Sequence, residues 1–208
     1  MQREPMTSPT KMMPIVILQT ERLTLRAFTE ADIDDVFAAV NDPLIQRWLP
    51  LPEPGVPYTR AEAEEWCRTV APESRVTGDG QKWAITERDS GRFYGSIGFT
   101  RTIWPAQTTE IGYWLAPWAR GRGLAAEATV AACRWAIGQG FQRIVLKAAT
   151  GNAGSRRVAE KAGFVFEGIE RNAMRLHEGR SDLALYSLIP SDLDGQAEGD
   201  AADGALSH

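Results

Sequence analysis

Residues 108–128 read TTEIGYWLAPWARGRGLAAEA, a strand, a glycine-rich loop and the start of a helix in direct succession. Glu110-Ile111-Gly112-Tyr113-Trp114-Leu115 has the aromatic and branched content of a strand. Ala116-Pro117 ends it, because proline has no N–H to give to a ladder. The alanine-rich run from Ala125 to Ile137 has high helix propensity. Between them, Gly121 and Gly123 permit close backbone approach and dihedrals that other residues avoid. The unpaired N–H groups of a first helical turn attract anions, and Arg120 and Arg122 bring positive charge to the same place. The stretch reads as a phosphate cradle.

Two familiar cradles fit it poorly. The Walker loop, G-x-x-x-x-G-K-[ST], is absent. Gly121-x-Gly123-x-x-Ala126 does match the dinucleotide pattern G-x-G-x-x-G/A. That pattern starts where the strand ends and needs a carboxylate about 20 positions on for the ribose. Here Pro117, Trp118 and Arg120 intervene, and the next strand, 143–150, holds Lys147 and no carboxylate. A dinucleotide oxidoreductase is disfavoured on both counts.

The bulk properties narrow the class further. A chain of 208 residues, 43% of them hydrophobic, can bury one substantial core, which predicts a single domain over 14–189. Cys67 and Cys133 offer neither a disulfide framework nor metal spacing, and read as reduced packing cysteines. The apolar run Ile15–Leu18 is too short for a signal peptide or a membrane helix, so a cytoplasmic protein without a membrane partner is expected. Net charge is −4, yet residues 116–166 carry eight basic side chains against two acidic ones. A positive segment in an acidic chain points to a small polyanionic ligand rather than a nucleic acid.

Along the chain, 1–13 reads as a flexible leader, and Leu23–Phe28 alternates like a half-buried strand. Thr29 then caps a helix with Asp32 three residues on and an apolar stripe at Ile33, Val36, Phe37 and Val40, stopped by Asn41-Asp42-Pro43. The proline-rich stretch 48–58 is irregular, and Thr59-x-x-Glu62 is a capping box opening a second helix toward Val70. Trp83–Thr86 and Tyr94–Thr100 are strands joined by the turn Arg88-Asp89-Ser90-Gly91. With 110–115 they form an antiparallel meander. Ile144–Ala149 returns parallel to 110–115 through the helix. Asn152–Ala162 is a short helix capped by Gly163, and 164–169 and 183–189 are the last strands. Residues 190–208 hold five acids and almost no bulky apolar side chain, so an acidic disordered tail is expected.

Two motifs carry a family resemblance. Arg120-x-x-Gly123-x-Ala125 matches R/Q-x-x-G-x-G/A, and Asn152-x-x-Ser155-x-x-Val158-x-Glu160-Lys161-x-Gly163-Phe164 is similar to N-x-x-[AS]-x-x-[LV]-[Y]-x-[KR]-x-G-F. Both patterns belong to the GNAT acyltransferases. Gly123-Leu124-Ala125-Ala126-Glu127-Ala128, and Thr-Glu-Arg-Leu-x-Leu-Arg at 20–26, resemble the Rim-type branch, which acetylates protein N-termini. The resemblance spans roughly 20–189. It implies an α/β fold with a mixed, mostly antiparallel sheet of six to seven strands, flanked by helices and splayed between 110–115 and 144–149. It also implies acetyl-coenzyme A as cosubstrate, no metal, and a homodimer.

By that resemblance the amides of Arg120, Gly121, Arg122, Gly123, Leu124 and Ala125 bind the pyrophosphate. Tyr113, Trp114 and Leu115 offer backbone groups to the pantetheine and the thioester carbonyl, and Asn152 contacts the pantetheine arm. Trp48 and Tyr58 line one wall of the acceptor site.

Amine attack on a thioester gives an oxyanion and then a thiolate, both favoured by a nearby hydrogen-bond donor. Many relatives use a tyrosine where this chain has Ala159; Ser155 stands where the Rim-type branch has a serine proposed for that role. Glu110 is the candidate base or ammonium ligand. An α-amino group, with a pKa of about 7.7–8.0, needs only a weak base, whereas deprotonating a lysine at pH 7 costs about 4.6 kcal/mol. His177 and His208 lie outside both motifs. The acceptor expected is a protein N-terminal α-amine. An aminoglycoside or other small amine, a succinyl-type donor, and a coenzyme A-binding regulatory module without turnover are the alternatives.

Overall fold

The structure, a computed structural model, describes residues 11–51 and 56–193. Its centre is one eight-stranded sheet in the order β1-β2-β3-β4-β5-β6-β8-β7. The strands are β1 (Leu18–Gln19), β2 (Leu23–Arg26), β3 (Lys82–Glu87), β4 (Phe93–Ile103), β5 (Thr108–Leu115), β6 (Arg143–Ala149), β7 (Val165–Leu176) and β8 (Gly179–Leu188). Every neighbouring pair is antiparallel except β5 and β6. The seven strands expected from the sequence are all present, and the two-residue β1 is added at the edge. The last two are longer than expected because they continue past Ile169 as a hairpin through Leu176 and Gly179.

Helices cover the two faces of this sheet unequally. On one face lies α5 (Leu124–Gly138), whose alanines and Cys133 let it sit close to the strands, with α6 (Ala153–Lys161) beside it. The main core fills this side: Trp83, Ile97, Phe99, Ile111, Ile144 and Leu146 are wholly enclosed, and Trp83 meets Trp135 of the helix edge-on at 5.2 Å. Burying one such side chain contributes roughly 1.5–3 kcal/mol. The opposite face is covered chiefly over β3–β5, by α1 (Ile33–Val40), α2 (Pro43–Trp48), α3 (Arg60–Glu65) and α4 (Ala71–Val76), with Trp48 at the end of α2 reaching β6–β8. There Phe28, Val36, Ala63, Cys67 and Phe93 form a second cluster.

The local signals explain these helices. Thr59 and Glu62 make the expected capping box, with the Thr59 amide donating to Glu62 at 2.6 Å. A π-helical turn at Trp66–Val70 joins α3 to α4, so the helix expected to reach Val70 continues to Val76. Ahead of α1, Asp32 is buried; its carboxylate accepts from the Thr29 amide at 2.7 Å and pairs with Arg26 at 2.7 Å. Of the leader expected over 1–13, residues 1–10 lie outside the described residues, and Met13 is fully enclosed in the main core. Pro52–Gly55, the tail from 194 and His208 also lie outside them, while 190–193 form a final helical turn that packs Leu193 on the main core.

Candidate active site

The loop expected to cradle a phosphate is built by two left-handed glycines. Gly121 and Gly123 both hold φ at +76°, a region that penalises any side chain. Gly123 caps α5, and the first intrahelical donor is the Glu127 amide, which reaches the Gly123 carbonyl at 3.2 Å. The amides of Leu124, Ala125 and Ala126 precede it and point out of the helix start. Leu124 and Ala125 bury their side chains in the core, so the turn is firmly seated.

The two arginines expected to bring positive charge to the loop are each paired within the protein. Arg120 turns to Asp42, the N-cap of α2, at 2.6 Å, and its Nε donates to the Leu115 carbonyl at 3.2 Å. Burial pushes the Asp42 carboxyl up, but this guanidinium and the amides of Ile45 and Leu44 together hold the pKa below the ordinary range. Arg122 lies over the Tyr94 ring, donates to its hydroxyl at 3.0 Å and sits 3.9 Å from Glu87. Both charges therefore have protein partners.

Beyond the cradle the sheet opens. β5 and β6 share only the pairs from Thr108↔Arg143 to Ile111↔Leu146, although β5 runs on to Leu115 and β6 to Ala149. Gly112–Leu115 and Lys147–Ala149 thus flank a gap, in which half of the β5 amides and carbonyls lack a strand partner. On the α6 side of this gap, Asn152 caps its helix by accepting the Ser155 amide at 3.0 Å. The Tyr113 hydroxyl donates to Ser155 Oγ at 3.1 Å. Burial raises the Tyr113 phenol to about 12, the Ser155 bond only partly opposing it.

Alternation along β5 puts Glu110 and Trp114 on the other face from Tyr113 and Leu115. Trp114 packs beneath α1 and α2. Glu110 is bridged by Arg101 Nη1, 3.0 Å from both carboxylate oxygens, and lies 4.0 Å from Lys147 Nζ. Lys147 in turn pairs with Glu170 at 2.9 Å. Lys82 runs over Gly98 and donates to the Phe99 carbonyl at 2.7 Å; burial lowers its pKa to about 8, Asp79 and Glu110 partly opposing this. A Cβ on Gly112 would meet nothing within 4 Å, so the floor between Glu110 and Trp114 is open.

Of the two aromatic wall residues, Trp48 stands at this end of the sheet, against Ala149, Leu176 and Leu183 and next to Gly151. Tyr58 does not join it. Its ring packs on the second core cluster, where burial drives the phenol pKa upward. Sequence reasoning gave no part to Arg101, Lys82 or Glu170, nor to the Tyr113 phenol. For Tyr113 a signal existed, since it shares the Ile111 face of β5.

The profile of the acetyltransferase (GNAT) domain family matches residues 22–165, about two thirds of the chain. The chain belongs to the GNAT family. Ribosomal-protein-serine acetyltransferase of Escherichia coli (strain K12) is 28% identical over 82% of this chain and 94% of its own. Among solved structures, the ribosomal L7/L12 alpha-N-protein acetyltransferase RimL in complex with coenzyme A aligns with a TM-score of 0.74 at 22% identity, over 84% of this chain and 98% of its own. The Microcin C7 self-immunity acetyltransferase MccE, in complex with acetyl-CoA and AMP, aligns equally well (TM-score 0.74) at 18% identity, over 82% and 93%. These two show a shared fold.

The GNAT protein is thus an acetyltransferase that uses acetyl-coenzyme A. Its residues fit that cosubstrate: the amide cradle suits a diphosphate, and the gap between β5 and β6 exposes the backbone groups an extended amide-bearing arm can pair with. No group of three metal-ligating side chains occurs among the described residues, and no helix among them is long and apolar enough to cross a membrane.

Proposed function

We propose that this acetyltransferase modifies the α-amino group of a protein N-terminus, with Ser155 and Glu110 acting from opposite faces of the β5–β6 gap. The observation that carries the reading is this division: the Ser155–Tyr113 hydroxyl pair on the α6 side, and the Glu110 carboxylate on the other beside the open floor at Gly112. When bound, acetyl-coenzyme A supplies an activated acyl group at the gap. Ser155 Oγ accepts from the Tyr113 phenol, which frees its own proton to point toward the gap and stabilise the departing sulfur.

Glu110 receives the acceptor's ammonium and takes a proton from it, directly or through water. Its present partner Arg101 is 66% exposed, and such a surface ion pair is worth only ~0.2–1 kcal/mol, so an incoming ammonium can displace it. An α-amine suits this arrangement because its pKa of about 7.7–8.0 leaves a useful fraction already neutral at pH 7, so little help from a base is needed. Similarity to the ribosomal-protein-serine acetyltransferase supports the same acceptor class. A second reading, a small-molecule amine, is favoured by the equal likeness to MccE.

The test is direct. The purified protein is incubated with acetyl-coenzyme A and three acceptors: a serine-starting peptide, the same peptide with a blocked terminus and an internal lysine, and an aminoglycoside. Acetylation of the free terminus alone, located by tandem mass spectrometry, is the expected result. Acetylation of the aminoglycoside alone would establish the second reading.

A further inference from the structure

The cradle is held from outside by the N-terminal edge of the sheet. Thr20, Glu21 and Arg22 form the turn between β1 and β2, closed by the Thr20 amide on the Leu23 carbonyl and by the Leu23 amide on Thr20 Oγ1, both at 2.9 Å. This fixed turn presents Arg22 to the start of α5. There Glu127 takes four donors: Thr20 Oγ1 at 2.5 Å and the Arg22 amide at 3.0 Å on one oxygen, Arg22 Nε at 2.7 Å and Nη2 at 2.5 Å on the other. The remaining nitrogen, Arg22 Nη1, donates to the Arg122 carbonyl at 3.0 Å. That carbonyl belongs to the peptide between the two left-handed glycines.

We propose that Thr20, Arg22 and Glu127 form a bracket that sets the diphosphate cradle in its binding shape before coenzyme A arrives. They are positioning residues, and the proposal rests on reading the loop as the coenzyme A site. Two physical arguments carry it. A trans peptide is planar, so its C=O and N–H point in opposite directions. Holding the Arg122 carbonyl toward Arg22 therefore aims the Gly123 N–H away from the bracket, to the side where an anion must sit. Second, Glu127 is a carboxylate in the first turn of α5, which favours the helix but repels a diphosphate. Four donors, two of them from one guanidinium, neutralise that repulsion. Burial alone would raise the Glu127 pKa; the bonds from Thr20 and Arg22 more than offset it, so the group stays ionised and the bracket stays closed.

A guanidinium can span a carboxylate and a carbonyl at once, and an ammonium cannot do so with the same fixed geometry. The bracket therefore predicts an effect of shape rather than of charge. The full-length protein is titrated calorimetrically with coenzyme A and, by competition, with S-acetyl-pantetheine, which lacks the diphosphate. Arg22→Gln and Arg22→Lys should each weaken coenzyme A about tenfold, leaving S-acetyl-pantetheine unchanged. Glu127→Gln should do the same, and Arg22→Gln/Glu127→Gln should lose little more than either alone, because the two act as one unit. Wild-type affinity in Arg22→Lys would make Arg22 a simple phosphate cation and overturn the proposal. Equal losses for both ligands would overturn it in favour of general destabilisation. If the wild type bound neither coenzyme A nor acetyl-coenzyme A, the cofactor reading itself would fall, and the bracket with it.

Discussion

The two sides of the β5–β6 gap are built from different materials. The donor side consists of backbone and neutral hydroxyls: the amides after Gly123, the capped α6 turn at Asn152, and the Tyr113–Ser155 pair. The other side is a network of charges drawn from five strands, Lys82, Arg101, Glu110, Lys147 and Glu170. A backbone cradle suits what is constant in the reaction, a diphosphate and an amide-bearing arm, and needs only glycines at the right spacing. A charge network can be rearranged by single substitutions without disturbing the sheet. Acceptor specificity in this fold is therefore expected to reside in that network.

Removing the donor-side hydroxyl should give the largest effect. Ser155→Ala should lower turnover by about 10²–10³-fold, the usual loss for one preorganised donor, while coenzyme A affinity stays within about twofold. Single-turnover rates and calorimetry on the same preparation check both halves. An unchanged rate would remove Ser155 from the chemistry. On the charged side, Glu110→Gln should cost about 10²-fold at pH 7 with a peptide terminus as acceptor. That deficit should shrink as pH rises past about 8, because the α-amine then sheds its own proton. A deficit that persisted to pH 9 would mean that Glu110 binds the acceptor rather than deprotonating it.

This contrast also explains what could be read from the sequence. The glycine loop before α5, the caps at Thr59 and Asn152, and the turn at Arg88–Gly91 are local patterns, each complete within a few residues, and each stands where expected. The break between β5 and β6 followed from the family resemblance. By contrast, the partners of the charged side chains are set by strand register. Arg120 looks like a phosphate ligand in the sequence, but α2 brings Asp42 within 2.6 Å of it. Tyr58 looks like a wall of the acceptor site, but the path of the chain into α3 turns its ring into the second core. Neither outcome has a signature shorter than the fold itself.

The charged side should also carry a measurable cost in stability. Lys82 has a folded pKa of about 8, lowered chiefly by burial, against 10.5 when unfolded. The unfolded chain thus binds more protons between those values, so stability rises as pH climbs from 8 to 10.5. The penalty is fully present below pH 8. Lys82→Met should therefore stabilise the protein by on the order of 2 kcal/mol at pH 7, after allowing for the lost bond to the Phe99 carbonyl, and should flatten the profile above pH 8. Denaturant melts at pH 7 and pH 10 check this. A variant less stable than the wild type at both would show that Lys82 is held for packing alone.

The smallest effect is expected from Tyr113→Phe, and it separates two accounts of the donor side. The phenol, raised by burial to about 12, stays protonated throughout the assay range and donates to Ser155 Oγ. If its task is to orient the serine, its loss removes one neutral hydrogen bond, worth about 1 kcal/mol, and turnover falls about fivefold. Tyr113→Phe/Ser155→Ala should then be no slower than Ser155→Ala, because a tyrosine that works only through Ser155 has nothing to position once Ser155 is gone. If the single variant instead fell as far as Ser155→Ala, with the double variant slower again, the phenol would itself reach the leaving sulfur. Tyr113 would then supply from β5 the tyrosine hydroxyl that Ala159 cannot, and Ser155 would be its partner rather than the donor.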